Sequence, residues 1–313
     1  MNAKARIAFA IVAVLWGIPY LLIKIAVDDG VPPTFVAWVR VVLGAFILLA
    51  FSWKLGLLAT LRQRLKWIIA FALAEIIIPY PLIASGEQHV DSSVAAILIA
   101  AAPLFVALLA LRFDHTERVG GWRLAGLLIG LVGVAMFVGI DIAGRRNELF
   151  GAVSVLIAAF CYAVGPMILK KHLADLDPRV TMCTSLFVGA VLLAPGAALQ
   201  LPKSVPSMPA MLSLLGLGVL CTACAFVAYG TLIVEAGPGR SLVVTYLNPV
   251  VAVALGMAVR GERLGIGAVL GLGLILVGSW LSTEGVPGRR DSDRDRLGPV
   301  VDPGPDASEG AAD

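Results

Sequence analysis

The chain has 313 residues, of which 59% are hydrophobic and only 14% charged, with a formal net charge of +3. A soluble domain usually carries about 25% charged residues, so this composition cannot clothe a water-soluble body. The apolar residues stand in long blocks near the ~20 residues that a helix needs to cross a bilayer. Blocks such as 124–140 are continuously apolar, unlike the alternating strands of a membrane barrel. The sequence predicts an all-α polytopic membrane protein.

Ten transmembrane helices are predicted, at 6–26, 33–53, 66–85, 92–111, 121–140, 149–169, 179–199, 210–233, 239–259 and 264–282. The first apolar run starts near Ile7 and reads as a span, because no small-residue cleavage site follows it. It holds Trp16, Pro19 and Tyr20 and ends at Lys24, whose stem is long enough to carry its charge to the outer face. The second holds Arg40, and the third holds Glu75 followed by Pro79, Tyr80 and Pro81. The fourth carries Pro103, the sixth Tyr162 and Pro166, and the ninth Pro249. Cys161, Cys183, Cys221 and Cys224 all lie in apolar runs and read as small packing residues, the Cys221–Cys224 spacing included. Trp38, Trp53, Trp67 and Trp122 fall near span ends and read as interfacial anchors. From about Glu284 the chain is rich in Gly, Pro, Asp and Arg, which predicts a disordered cytoplasmic tail.

Lys and Arg placement predicts the orientation. With the N-terminus inside, the inside segments of the first half hold Lys4, Arg6, Lys54, Arg62, Arg64, Lys66, Arg112, Arg118 and Arg123. The outside connections there hold the acids Asp28, Asp29, Glu87 and Asp91, with no Lys or Arg. The second half is less biased: Lys170, Lys171, Arg179 and Arg240 lie inside, and Arg145, Arg146, Lys203, Arg260 and Arg263 outside. The tail adds Arg289, Arg290, Arg294 and Arg296 inside. A multi-pass protein of the cytoplasmic membrane with both termini in the cytoplasm is expected.

The halves read as copies. Lys24 and Lys170 stand 146 residues apart, as do Pro103 and Pro249. Glu117-Arg118 and Glu262-Arg263 stand 145 apart, and the run starting at Gly126 matches the one starting at Gly271 at the same offset. Five spans per copy is odd, so the second copy is inverted in the membrane, an architecture that places substrate near the midplane between copies. The expected organisation is a first repeat at 1–140, a second at 141–283 and a tail at 284–313.

These features carry a family resemblance. Trp16-Gly17, Arg40, Ala102-Pro103, Asn248-Pro249 and the Gly261-Glu262-Arg263-Leu264 turn before a Gly-rich last span resemble the EamA family of the drug/metabolite transporter superfamily. The likeness covers about 7–139 and 150–282. The equivalent turn of the first copy, Phe113 to Arg118, is longer and more polar. The resemblance implies transport on a ten-helix fold, with the last helix of each copy forming an interface between copies or protomers. Gly126, Gly130 and Gly133, with Gly267, Gly271 and Gly278, give those helices small faces suited to close packing, compatible also with a homodimer.

Glu75 is the outstanding residue. It lies nine residues from Lys66, or ~13 Å of helix rise, where an acidic side chain costs on the order of 2.5–3.5 kcal/mol to insert. Two readings follow: a group that couples protons or binds an ammonium, or an ion pair with Arg40 at similar depth. Each of Pro19, Pro79, Pro103, Pro166 and Pro249 frees a carbonyl four residues earlier, and irregular backbone at that depth suits a polar cavity. Trp16, Tyr80 and Tyr162 are the expected cavity-lining aromatics, with Lys24 a lesser candidate.

The expected function is a secondary transporter moving a small, amino-acid-like metabolite outward by alternating access, coupled to protons or working as an exchanger. A lipid flippase on the same fold is the alternative. The segment at 139–146 lacks the Gly-Lys-Ser/Thr of an ATP-binding loop. His89, His115 and His172 sit in connections or at span ends and no second acid accompanies Glu75 inside a span, which argues against an intramembrane enzyme. No metal, cofactor or nucleic-acid partner is expected.

Overall fold

The structure, a computed structural model, describes residues 2–52, 57–113, 121–142, 144–237 and 241–283. Among these, nine helices are long and apolar enough to cross a membrane. They are α1 (Ala3–Asp28), α2 (Pro33–Ala50), α3 (Thr60–Glu87), α4 (Ser92–Arg112), α5 (Trp122–Ile142), α6 (Arg146–Leu173), α7 (Pro178–Leu199), α8 (Met208–Ala236) and α9 (Val243–Arg260). A shorter apolar helix, α10 (Ile266–Ser282), completes the ten. The expected tail, Trp53, Lys54, His115, Glu117, Arg118 and Arg240 lie outside the described residues.

Several helices outrun their expected ends. Asp28 and Glu87, expected in connections, are the last residues of α1 and α3, and Lys24 lies a turn inside α1. Polar residues at span ends read as loop in sequence, and helix ends are the part of a span least fixed by composition. Ten spans bring both ends of the described chain to one side, here the terminal face. The opposite, far face carries the connections after α1, α3, α5, α7 and α9.

The prolines act where an imino acid must disturb a helix. α1 is interrupted at Ile18, before Pro19; α3 at Ile78, before Pro79; α4 at Ala100 and Ala101, before Pro103. α9 opens as a 3-10 turn, Leu242–Tyr246, ahead of Pro249. Pro166 differs: the α-helical part of α6 runs through it to Ile168. Wider π-turns at Leu73–Ile77 in α3 and Val219–Cys224 in α8 begin 146 residues apart, so the repeat extends to backbone irregularities.

Packing follows the same symmetry. α2 lies on α7, α4 on α9 and α5 on α10, while α1 packs on α8 and α9 as α6 packs on α3 and α4. In α5 and α10, Gly126 faces Gly278 and Ser282, and Gly133 faces Gly271 and Ile275. The paired numbers rise on one helix as they fall on the other, so the helices run antiparallel. Gly44 against Leu186 and Gly196 against Thr34 show the same for α2 and α7. Helices equivalent by repeat but opposite in direction define an inverted repeat. Large apolar side chains such as Phe46, Val191 and Ile266 are exposed on the perimeter, where lipid is the matching solvent.

Candidate functional site

Glu75 sits within the π-turn Leu73–Ile77, a form of helix often found at functional sites. The turn ends where Pro79 cannot donate to the ladder. The Glu75 carboxylate lies against Gly165 of α6 so closely that a Cβ at residue 165 would occupy its place. The side chain is half-buried. Among the described residues no group ion-pairs with it or donates a hydrogen bond to it. The expected Arg40–Glu75 ion pair is not formed.

Arg40 is instead engaged elsewhere. It is 8% exposed, its Nε donates to Thr222 Oγ1 at 3.0 Å, and its guanidinium carbon stands 4.0 Å from the Tyr80 ring centroid. The Thr222 hydroxyl donates to the Leu217 carbonyl at 2.8 Å, a bond that the π-turn of α8 places within reach. Arg40 therefore ties α2 to the α8 π-turn, the counterpart of the turn that carries Glu75. Tyr80 and Tyr162 pack with Ile76, Cys183 and Ala223 in the cluster beneath it. Trp16 borders that cluster through Phe226: its ring lies 4.7 Å from that of Tyr229 and 6.0 Å from that of Phe226, between α1 and α8. Trp38 does more than mark an interface, since its Nε1 donates to the Ala190 carbonyl at 3.0 Å.

Arg40→Lys is expected to destabilise the fold by about 2 kcal/mol, because a bond from a charged donor contributes ~1.5–3 kcal/mol and a desolvated stack ~0.5–2 kcal/mol. Tyr80→Phe, which keeps the ring face, should be near neutral, and Tyr80→Leu should lose the stacking share. Thermal unfolding of the detergent-solubilised chain measures all three.

The far face holds a polar cluster that the sequence did not reveal. Lys24 directs its charge toward this face: its Nζ donates to the Glu87 backbone carbonyl at 2.8 Å and pairs with Asp28, the last residue of α1, at 3.2 Å. Asp28 also pairs with Arg260 at the end of α9. Glu262, in the α9–α10 connection, accepts from the Ser92 amide (3.0 Å) and hydroxyl (2.7 Å), and from the Ser93 amide (3.0 Å) and hydroxyl. It thereby caps α4 from another segment, which suits the positive end of a helix. On the terminal face, Lys4 pairs with Glu235 and Arg64 with Asp175, and Trp67 stacks on His172 at 3.3 Å.

Burial acts to raise the Glu262 carboxyl, but the four Ser92 and Ser93 donors outweigh it and hold the group below the usual carboxylate range. A depressed carboxyl stabilises the fold above its unfolded value, about 4.3 for glutamate, and the benefit vanishes as pH falls through the lower folded value. Glu262→Gln should therefore melt below the wild type at neutral pH, and the gap should close on acidification below about pH 4. A gap that widens in acid would refute this capping role.

Comparison with known proteins accords with the geometry. The EamA-like transporter family matches residues 3–139 and again 149–283. The chain is 30% identical over 283 residues to the "uncharacterized inner membrane transporter YedA" of Escherichia coli K12, covering 87% of this chain and 88% of that protein. It is 25% identical over 286 residues to the "uncharacterized transporter YoaV" of Bacillus subtilis, covering 90% and 97%. A "probable amino-acid metabolite efflux pump" of E. coli K12 is 25% identical over 300 residues, covering 93% and 98%. A solved crystal structure shares the fold, with TM-score 0.63 and 20% identity over 90% of this chain and 98% of that one. With two family matches that together span nearly all ten helices, the chain belongs to the EamA-like transporter family.

Proposed function

We propose that the protein is a secondary transporter that exports a small amino-acid-like metabolite across the inner membrane, driven by proton exchange at Glu75. The repeats 1–140 and 141–283 would be the two moving bodies, and the terminal face would be cytoplasmic, in keeping with the Lys and Arg bias of the first half. The observation that carries the reading is the unpaired Glu75 carboxylate in a π-turn against Gly165. A carboxylate without a protein partner at that depth is suited to a proton or a substrate ammonium. Arg40, on the neighbouring helix, offers a guanidinium to a substrate carboxylate, and Tyr80 and Tyr162 supply aromatic walls. Similarity to an amino-acid metabolite efflux pump supports the same substrate class.

Counterflow in proteoliposomes with a panel of labelled amino acids tests this directly. Transient accumulation of at least one zwitterionic compound, saturable and absent from empty liposomes, is expected. Folded protein that exchanges no member of the panel would refute the substrate class.

A further inference from the structure

We propose that Glu87 is a second proton-binding site, set at the far face and separate from Glu75. It holds its proton while that face is closed and yields it to far-side water when the face opens. The release step rests on the proton-coupled reading above; the protonation itself does not.

Glu87 ends α3 and is 0% exposed, and among the described residues neither carboxyl oxygen has a hydrogen-bond partner. The burial is built in. Gly86 crosses Gly151 of α6 so closely that a Cβ on Gly86 would stand 2.5 Å from Val155 and 2.9 Å from the Gly151 carbonyl. The nearest cation, Lys24, directs its ammonium to the Glu87 backbone carbonyl and to Asp28, leaving the carboxyl itself without a counter-ion in contact. The charged groups acting on Glu87 are Lys24 and Asp28 from α1, Arg40 from α2 and Glu262 from the α9–α10 connection, with the Tyr20 hydroxyl of α1 beside them. Asp91 precedes α4 next to Glu262 and Glu148 stands on α6. Lys24 and Arg40 thus face Asp28 and Glu262, while Arg260 pairs with Asp28 and Arg145 with Glu148. Because Ser92 and Ser93 keep Glu262 ionised, its negative charge opposes a second one nearby. A buried carboxylate with no donor is not sustained; the neutral acid is.

Asp28 is shared between Lys24 of α1 and Arg260 of α9, and Lys24 also holds the Glu87 backbone carbonyl, so this ion-pair chain joins the Glu87 end of α3 to α9 only while α1 and α9 are together. Parting them breaks the Asp28–Arg260 pair and admits water to the carboxyl, while Lys24 and Asp28 stay paired on α1. The carboxyl O–H bond then breaks, the proton passes to water, and the carboxylate is left hydrated in the field of the Lys24 charge. Glu75 lies twelve residues back along α3, ~18 Å at helical rise, so the two sites are distinct.

The test is infrared spectroscopy of the full-length chain in lipid nanodiscs, with proteoliposome transport measured against far-side pH. A carboxylic-acid carbonyl band at neutral pH is expected, with one component lost in Glu87→Gln and a different one affected by Glu75→Gln. Glu87→Gln, shaped like the protonated acid, is expected to fold and to lose the dependence of transport on far-side pH while retaining exchange. An unchanged band in Glu87→Gln would overturn the proposal. Should that variant not fold, Lys24→Met leaves Glu87 in place: a band of wild-type intensity supports the neutral acid, and a band that grows, revealing a carboxylate that Lys24 had kept ionised, overturns it. A wild-type chain indifferent to every pH gradient would instead sink the coupling reading and the release step, while the band still reports Glu87 protonation.

Discussion

Glu75→Gln is expected to abolish gradient-driven transport while leaving substrate exchange close to the wild-type rate. With one proton exchanged per substrate, a gradient of one pH unit supports about a tenfold concentration ratio, or ~1.4 kcal/mol. In the variant that ratio should fall to one. Glutamine preserves the shape of the protonated acid, so the contact with Gly165 survives, but the group can no longer gain or lose a proton. Among the described residues no ion pair is broken by the substitution, since Arg40 is bound to Thr222 and Tyr80. If exchange and gradient-driven transport fall together, in step with loss of folded protein, Glu75 is a structural group and not a coupling one.

Gly278→Leu should be the most damaging single change to the scaffold. A Cβ at residue 278 would fall into the backbone of Gly130 and stand 2.6 Å from the Gly126 carbonyl. Backbone cannot rotate aside as a side chain can, so α5 and α10 must separate. Overpacking of this kind costs about 1–3 kcal/mol, occasionally more. Gly273→Leu supplies the control, because nothing lies within 4 Å of a Cβ there although it is on the same helix; it should stay within ~0.5 kcal/mol of the wild type. Thermal unfolding in detergent distinguishes them, and equal melting of the two variants would contradict the tight crossing.

The architecture was legible in sequence because membrane helices must satisfy their own backbone and show as long apolar runs. The repeat was legible because Lys24 and Lys170, and Pro103 and Pro249, keep one offset. That register extends into the spans. The same offset sets Glu75 against Cys221 and Ile76 against Thr222, so the second π-turn and the residue that holds Arg40 were within reach of the comparison. What remained hidden depends on three-dimensional approach. Arg40 and Glu75 lie at similar depth, but depth says nothing of the direction in which each helix turns its side chain. Trp16 shows the same limit: it lies near a kink yet packs between α1 and α8. Glu87, within a Ser-Gly-Glu-Gln-His run, reads as loop, and only the crossing of Gly86 and Gly151 reveals it as buried. The seryl cap around Glu262 joins segments about 170 residues apart, a pairing with no local signature.

The most direct test of alternating access is the side from which the site can be reached. A single cysteine at Tyr162, in a chain freed of its four native cysteines, can be probed in proteoliposomes with membrane-impermeant thiol reagents. Modification from one face at a time is expected, with the reactive face changing when the pH gradient is reversed or substrate is added. Simultaneous reactivity from both faces, or from neither under any condition, would contradict a transporter that works in this way.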